Sequence, residues 1–334
     1  MKKINRETTM GMATQGFTAQ NTKFFTYSGS KFRFKKHFDQ LHATLGEKIK
    51  VKTYIEAFAG TLASLFHNFE HVNADRYIIN DLNKKVINLY KHIQQNPEEL
   101  FRIVTSLEDT FQALIPEHLH NKSQVPNEDR DAFKNNADFF NITKEFFNTI
   151  PLDIHHAALF IFIMAHCFNG IYDENQSGEY NNGFNWSSKP INKETIYTKI
   201  KTLHSFFTTH EVVFESMDAF ALVKKYQGSD TFIYLDPPYV GSSLQYKIAK
   251  KSFKYLQTHI VLLEICKQYD YVMYSNNYDE TLCQHFQAHT TYERGKVNGT
   301  TKLPTKEILA LTSHKATHYV VANEATYQPL HLVA

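Results

Sequence analysis

Apolar and polar residues follow one another along this chain in two rhythms, and the switch between them marks how it is organised. Short runs rich in β-branched and aromatic residues occur at Val51–Ile55, Arg76–Asp81, Glu211–Glu215, Phe232–Leu235, Tyr271–Tyr274 and Lys306–Leu311, and each predicts a strand. Between them a helical period predicts helices over Thr61–Phe66, Leu82–Gln94, Glu98–Leu114, Lys189–Phe207 and Leu256–Gln268. Ile154–Phe168 is apolar all round and stops at Asn169-Gly170, the pattern of a buried core helix. Ile171–Trp186 alternates Tyr and Phe with polar residues around Ser177-Gly178 and predicts a β-hairpin. Residues 116–137 are polar and loop-like, and residues 1–22 form a polar, loose arm. Strands alternating with helices predict an α/β fold, interrupted by a mostly helical insertion.

Composition narrows the class without naming a function. The chain has 334 residues, 42% hydrophobic and 21% charged, enough for one large domain or a domain with a substantial insertion. A net charge of +2 demands no nucleic acid, so any such affinity must come from local basic clusters. Cys167, Cys266 and Cys283 lack metal spacing, and the 18 histidines are scattered, as at His37 and His155-His156. No metal site and no disulfide framework are expected. The opening MKKINRETTM has no apolar signal region, and no run reaches membrane-spanning length, so a soluble, cytoplasmic protein without membrane contact is expected.

The chemistry gathers at Thr231–Tyr239, TFIYLDPPY. The apolar run reads as a buried parallel strand that two prolines must end in a stiff turn, at the sheet edge where α/β proteins bind ligands. There Asp236, the Pro237 carbonyl and the Tyr239 ring suit a planar amine. The acid and the carbonyl each accept one N–H, which frees the nitrogen lone pair, and the ring stacks on the base. The plain alternative is a strand end with a proline turn. Upstream, Tyr27-Ser28-Gly29-Ser30-Lys31 is a small-residue turn that can face an anion, or open a helix with a solvated lysine face. Gly60 follows the strand Val51–Ile55 in a tight turn that lets a ligand approach the backbone. Asp81 ends the next strand, where an acid binds ribose hydroxyls or caps the following helix.

Four blocks in order, Tyr27–Lys31, Glu56-Ala57-Phe58-Ala59-Gly60, Asp81-Leu82-Asn83 and Asp236-Pro237-Pro238-Tyr239, carry a resemblance to the Dam-like (D12 class, alpha-group) DNA adenine N6-methyltransferases, from about residue 23 to about 313. The resemblance implies a Rossmann-like methyltransferase sheet with S-adenosylmethionine as methyl donor. On that basis Tyr27 and Lys31 help hold the donor, Phe58 and Gly60 flank its methionine part, and Asp81 takes its ribose hydroxyls. Asp218 lies against its adenine or caps the next helix, and Asp236 stands between donor and target base. Residues 23–83 and 191–320 would form the catalytic domain, and 84–190 a target-recognition domain of helices plus the hairpin 169–186. The implied substrate is adenine in a specific double-stranded DNA sequence, reached by base flipping.

Three positions depart from the family pattern. Leu62 replaces a second glycine, Tyr27 a common tryptophan, and Asp173 an arginine that touches DNA in GATC-methylating relatives. An acid at 173 repels phosphate and cannot donate to guanine, so the resemblance does not carry GATC over as the recognised site. Asn169, Tyr180 and Asn181 fall on the family's DNA-reading hairpin, and Lys247, Lys250 and Lys251 follow the active edge where they would track phosphates rather than form a solvated face. A cognate restriction endonuclease is a candidate partner, and a monomer or weak dimer the expected state. RNA adenine or a protein glutamine as acceptor, and a catalytically silent DNA-binding relative, stay open.

Overall fold

The computed structural model of the protein describes residues 16–25, 30–115, 131, 133–186, 190–241, 253, 255–294 and 305–315. They divide into two compact units. One takes in the described residues up to Ser30, with Gly60–Ala63 and Asn83–Thr209; the other holds Lys31–Ala59, Ser64–Leu82 and the described residues from His210 onward.

The second unit is built on one sheet of seven strands among the described residues: β1 Ile49–Glu56, β2 Val72–Asn80, β3 Glu211–Glu215, β4 Thr231–Leu235, β5 Tyr271–Asn277, β6 Ala288–Arg294 and β7 Thr305–Ser313. Their order is β3-β2-β1-β4-β5-β7-β6. β1 to β5 run parallel, and β7 is antiparallel to both β5 and β6. β1 begins with alternation, Ile49 and Val51 inward and Lys50 and Lys52 outward, and ends with Tyr54, Ile55 and Glu56 all buried. β4 is buried along its whole length, as its unbroken apolar run requires. Chain connections leave β1 towards β2 and β3, then return to β4 and β5 on the other side. The order therefore reverses between β1 and β4, and their carboxyl ends form the switch point at which such sheets bind ligands. This is a Rossmann-like α/β sheet with an antiparallel β7-β6 edge.

The other unit is helical. Ile154–His166, apolar on every face, is packed by Lys84–Gln95, Pro97–Ala113 and Lys134–Thr149, while Lys193–Thr209 lies against the first two of these. Inside it the Glu108 carboxylate meets His166 Nε2 at 2.8 Å, and both side chains are buried. Among the described residues, no helix is long and apolar enough to cross a membrane.

Several elements differ from the sequence expectation. Lys134–Thr149 is helix, so the polar loop of 116–137 ends by residue 133; residues 116–130 lie outside the described residues. β6 was not expected, because AHTTYER is a polar edge strand with one covered face. Ile171–Trp186 is not a regular hairpin. Its antiparallel pairing is limited to the isolated bridges Cys167 with Phe184 and Glu174 with Tyr180, and around Ser177-Gly178 the Asn181 N–H donates to the Asp173 carbonyl at 3.0 Å and the Asn175 N–H to the Glu179 carbonyl at 2.8 Å. The end of the presumed loose arm is packed: Thr18 caps the turn Ala19–Thr22, and Phe17 is buried edge-on against Phe206. Helix Lys193–Thr209 belongs with the helical unit.

Candidate active site

Asp236 follows the last residue of β4, and both its oxygens are engaged. Lys31 Nζ donates to Oδ2 at 2.6 Å, and Ser275 Oγ donates to Oδ1 at 2.7 Å. Ser275 sits on β5, where its hydroxyl also pairs with that of Tyr234 on β4 at 2.9 Å. Lys31 reaches the acid from a short turn, Lys31–Arg33, whose first carbonyl is met by His67 Nε2 at 3.0 Å. Its side chain is 2% exposed and that of Asp236 18%. Neither the solvated lysine face nor an open anion turn describes Lys31; a buried cation needs a counter-charge, and Asp236 is that partner.

Pro237 is buried, and Tyr239 is half-buried with its hydroxyl donating to Glu307 Oε2 on β7 at 3.1 Å. Lys31 Nζ stands 5.2 Å from the centre of the Tyr239 ring. Burial raises the Tyr239 phenol well above its ordinary range, with the Asp236 charge adding to it, so the hydroxyl stays a donor. The loop beyond is clamped by the end of β5. Val240 N–H donates to Asn276 Oδ1 at 3.0 Å, and Asn277 Nδ2 donates to the Val240 carbonyl at 2.7 Å.

A second acid, Glu56, ends β1 in register with Tyr234. It is fully buried, accepts from the Tyr54 hydroxyl at 2.6 Å and is bonded by Ser64 Oγ. Burial pushes its carboxyl up to about 8, and the Asp236 charge acts in the same direction. The Lys31 charge acts on Glu56 in the opposite direction, but less than burial does.

At the ends of β2 and β3, the Asn80 side chain binds three backbone groups. Its Nδ2 donates to the carbonyls of Ala57 at 2.9 Å and Met217 at 3.1 Å, and its Oδ1 accepts from Met217 N–H at 3.0 Å. This fixes the turns after β1 and β3 around the half-buried Asp81. Asp81 is not the cap of the next helix: Asn83 caps it, accepting from Lys85 N–H. Asp218 does cap Ala219–Lys225, accepting from Phe220 N–H at 2.9 Å. Phe58 is partly buried and meets Phe253 edge-on at 5.9 Å. Gly60 has φ +44°, and nothing lies within 4 Å of where a Cβ would stand. Leu62 keeps the left-handed backbone, φ 61°, that a glycine would take there, and its side chain is fully buried. The strain costs about 1–2 kcal/mol, and burying the leucine offsets it. Tyr27 lies outside the described residues.

In the helical unit, Asn169 and Asn181 are exposed, and Asn169 adopts φ 57° in the turn Phe168–Gly170. Tyr180 is 1% exposed, its ring against Phe147 and Tyr172, so it supports the segment and does not present a face for a base to stack on. Asn148 grips the backbone of Tyr180 from both sides, donating to its carbonyl at 3.0 Å and accepting from its N–H at 2.8 Å. Lys85 Nζ ties Glu174 at 3.0 Å to the Gly178 carbonyl at 2.9 Å. Lys247, Lys250 and Lys251 lie outside the described residues.

Sequence reasoning thus missed Ser275, Glu56, Asn80, Asn148 and Glu307 as site builders. The readable signal was a polar residue inside an otherwise apolar strand, as in YVMYSNN and KEILAL; what each one touches was not readable.

The model of the D12 class N6 adenine-specific DNA methyltransferases matches residues 27–303. The chain is 26% identical over 219 residues to the Type II methyltransferase M.MjaIII of Methanocaldococcus jannaschii, covering 65% of this chain and 68% of that one. It is 26% identical over 227 residues to a DNA adenine methylase of Serratia marcescens, covering 67% and 69%. Type II methyltransferase M1.LlaDCHI of Lactococcus lactis subsp. cremoris is 25% identical over 293 residues, covering 83% and 89%.

Proposed function

This chain belongs to the D12 class of N6 adenine-specific DNA methyltransferases, and from that premise we propose that Asp236, Pro237 and Tyr239 receive the target adenine of a flipped nucleotide. The observation that carries the proposal is the Asp236 carboxylate, held at the switch-point edge by Lys31 and Ser275. With its charge shared by two donors, Asp236 is placed to accept a hydrogen bond from the adenine amino group rather than to strip a proton from it. The Pro237 carbonyl accepts the other N–H, and Tyr239 stacks on the base. Drawing the two hydrogens apart frees the nitrogen lone pair for attack, and the proton lost afterwards passes to solvent.

S-adenosylmethionine, the donor this family implies, supplies a methyl group activated on a sulfonium. The residues present suit it: open space at Gly60, an aromatic wall at Phe58, and the acid Asp81 on a turn fixed by Asn80. Lys31 and Asp236 border the same edge, and Asp218 and Tyr27, the latter outside the described residues, are further candidates to hold the donor. We assign the sheet unit to catalysis and the helical unit to target reading, with Asn169 and Asn181 as DNA contacts and Lys247, Lys250 and Lys251 as phosphate contacts. Because some relatives are Type II methyltransferases, a cognate restriction endonuclease is the partner to look for.

The test is transfer of labelled methyl from S-adenosylmethionine to unmethylated duplex DNA, with base analysis of the product and Asp236→Ala as control. Label as N6-methyladenine, absent with the variant, supports the assignment. Label retained by the variant removes Asp236 from the mechanism, and label on RNA or protein moves the acceptor.

A further inference from the structure

Glu307 is a buried acid that the reaction as described does not use. It is the third residue of β7, opposite Asn277 of β5 and Tyr292 of β6, and is 2% exposed. One oxygen, Oε2, accepts from two tyrosines, Tyr292 at 2.7 Å and Tyr239 at 3.1 Å. A sheet interior rarely holds a carboxylate without cause, because its desolvation must be offset by donors. Here the two donors differ in kind. Tyr292 is a strand residue packed by Phe34 at 4.2 Å and by His37 at 5.1 Å, so its position needs no help from Glu307. Tyr239 lies beyond β4 on a loop stiffened by prolines, and its hydroxyl bond to β7 fixes the far end of the ring while Lys31 faces its centre.

We propose that Glu307 is a positioning residue for base recognition: through the Tyr239 hydroxyl it sets the plane on which the flipped adenine stacks. The inference rests on Tyr239 being the stacking residue. A phenylalanine at 239 would provide the same aromatic face but could swing about its Cβ. The tyrosine anchored on Glu307 keeps the face at one tilt, so less rotational freedom is lost when the base arrives. Glu307 touches neither base nor donor in this account and acts only through Tyr239.

The test is a double-mutant cycle between Glu307→Gln and Tyr239→Phe, with Tyr292→Phe as the sheet control. The readouts are kcat, KM for DNA, donor affinity, and fluorescence of aminopurine placed at the methylated adenine once that position is mapped. Glu307→Gln and Tyr239→Phe should each lower kcat roughly tenfold and damp the aminopurine signal, leaving donor affinity unchanged, since the first takes the charge from the acceptor that Tyr239 bonds and the second removes the hydroxyl that donates to it. The two together should do no more than either alone, whereas Tyr292→Phe should leave kcat within about twofold of wild type. Additive losses, or a Glu307→Gln enzyme with wild-type kcat and signal, would overturn the proposal. If Glu307→Gln folds poorly, Tyr239→Phe breaks the same bond without touching the sheet, and wild-type kcat from it refutes the anchor. If Tyr239→Ala leaves flipping and turnover intact, the stacking assignment itself has failed.

Discussion

Lys31→Met isolates the pair on which the active edge is built. At 2.6 Å and an effective dielectric of about 20, the direct attraction between Lys31 and Asp236 is about 6 kcal/mol. Desolvating the lysine cancels most of this, so the intact pair adds little net stability. Removing one member is different, because the other charge then keeps its desolvation cost without its partner. Lys31→Met should cost about 3 kcal/mol, the low end for a broken buried pair, since Asp236 keeps 18% exposure and its bond from Ser275. Asp236→Asn should cost at least as much, because it strands a lysine that is 2% exposed. The double variant removes both charges and should be no worse than either single one, a coupling of about 3 kcal/mol or more. Urea unfolding of the four proteins, followed by a probe in the sheet unit, measures the cycle, and methyl transfer is assayed on the same samples. Single costs that add to within about 0.5 kcal/mol would refute the coupled-pair account. So would a Lys31→Met enzyme with unchanged kcat.

Ser275→Ala removes the other bond to Asp236 and should lower kcat by roughly ten- to a hundredfold with donor affinity intact, read by steady-state kinetics and calorimetry. Glu56 holds a proton in the fold up to about pH 8, whereas an ordinary glutamate in the unfolded chain loses it near 4.5. Between those values the native state binds more protons, so its contribution is full below 4.5 and is lost as pH rises through 8. The slope is at most about 1.4 kcal/mol per pH unit. Glu56→Gln should flatten that slope, as denaturant midpoints across the pH range will report. Asn148→Ala frees both backbone groups of Tyr180 and should destabilise the 171–186 segment by roughly 1–3 kcal/mol. Faster amide exchange there and reduced target selectivity, with unchanged donor binding, are the expected results.

Local pattern was enough to place most of the elements of the sheet. Unbroken apolar runs such as TFIYL are buried on both faces wherever they occur, and the prolines after Asp236 end β4 by covalent geometry alone. The order of the chemical blocks carried the family, and the acid at the end of β4 was legible as chemistry because an acid, two prolines and an aromatic ring in succession admit few uses. Partnership was not legible. Lys31 and Asp236 are 205 positions apart, Tyr239 and Glu307 are 68 apart, and no local period connects either pair. Only the parallel register of β4 with β5, and the return of β7 beside β5, bring Ser275 and Glu307 to the same edge. The same limit explains Tyr180, whose alternating neighbours suggested an exposed face that packing on Phe147 and Tyr172 buries. Sequence determined which groups the protein has and, at the two prolines, where β4 ends. The tertiary structure decided which charges meet, because desolvation is set by neighbours in space rather than along the chain.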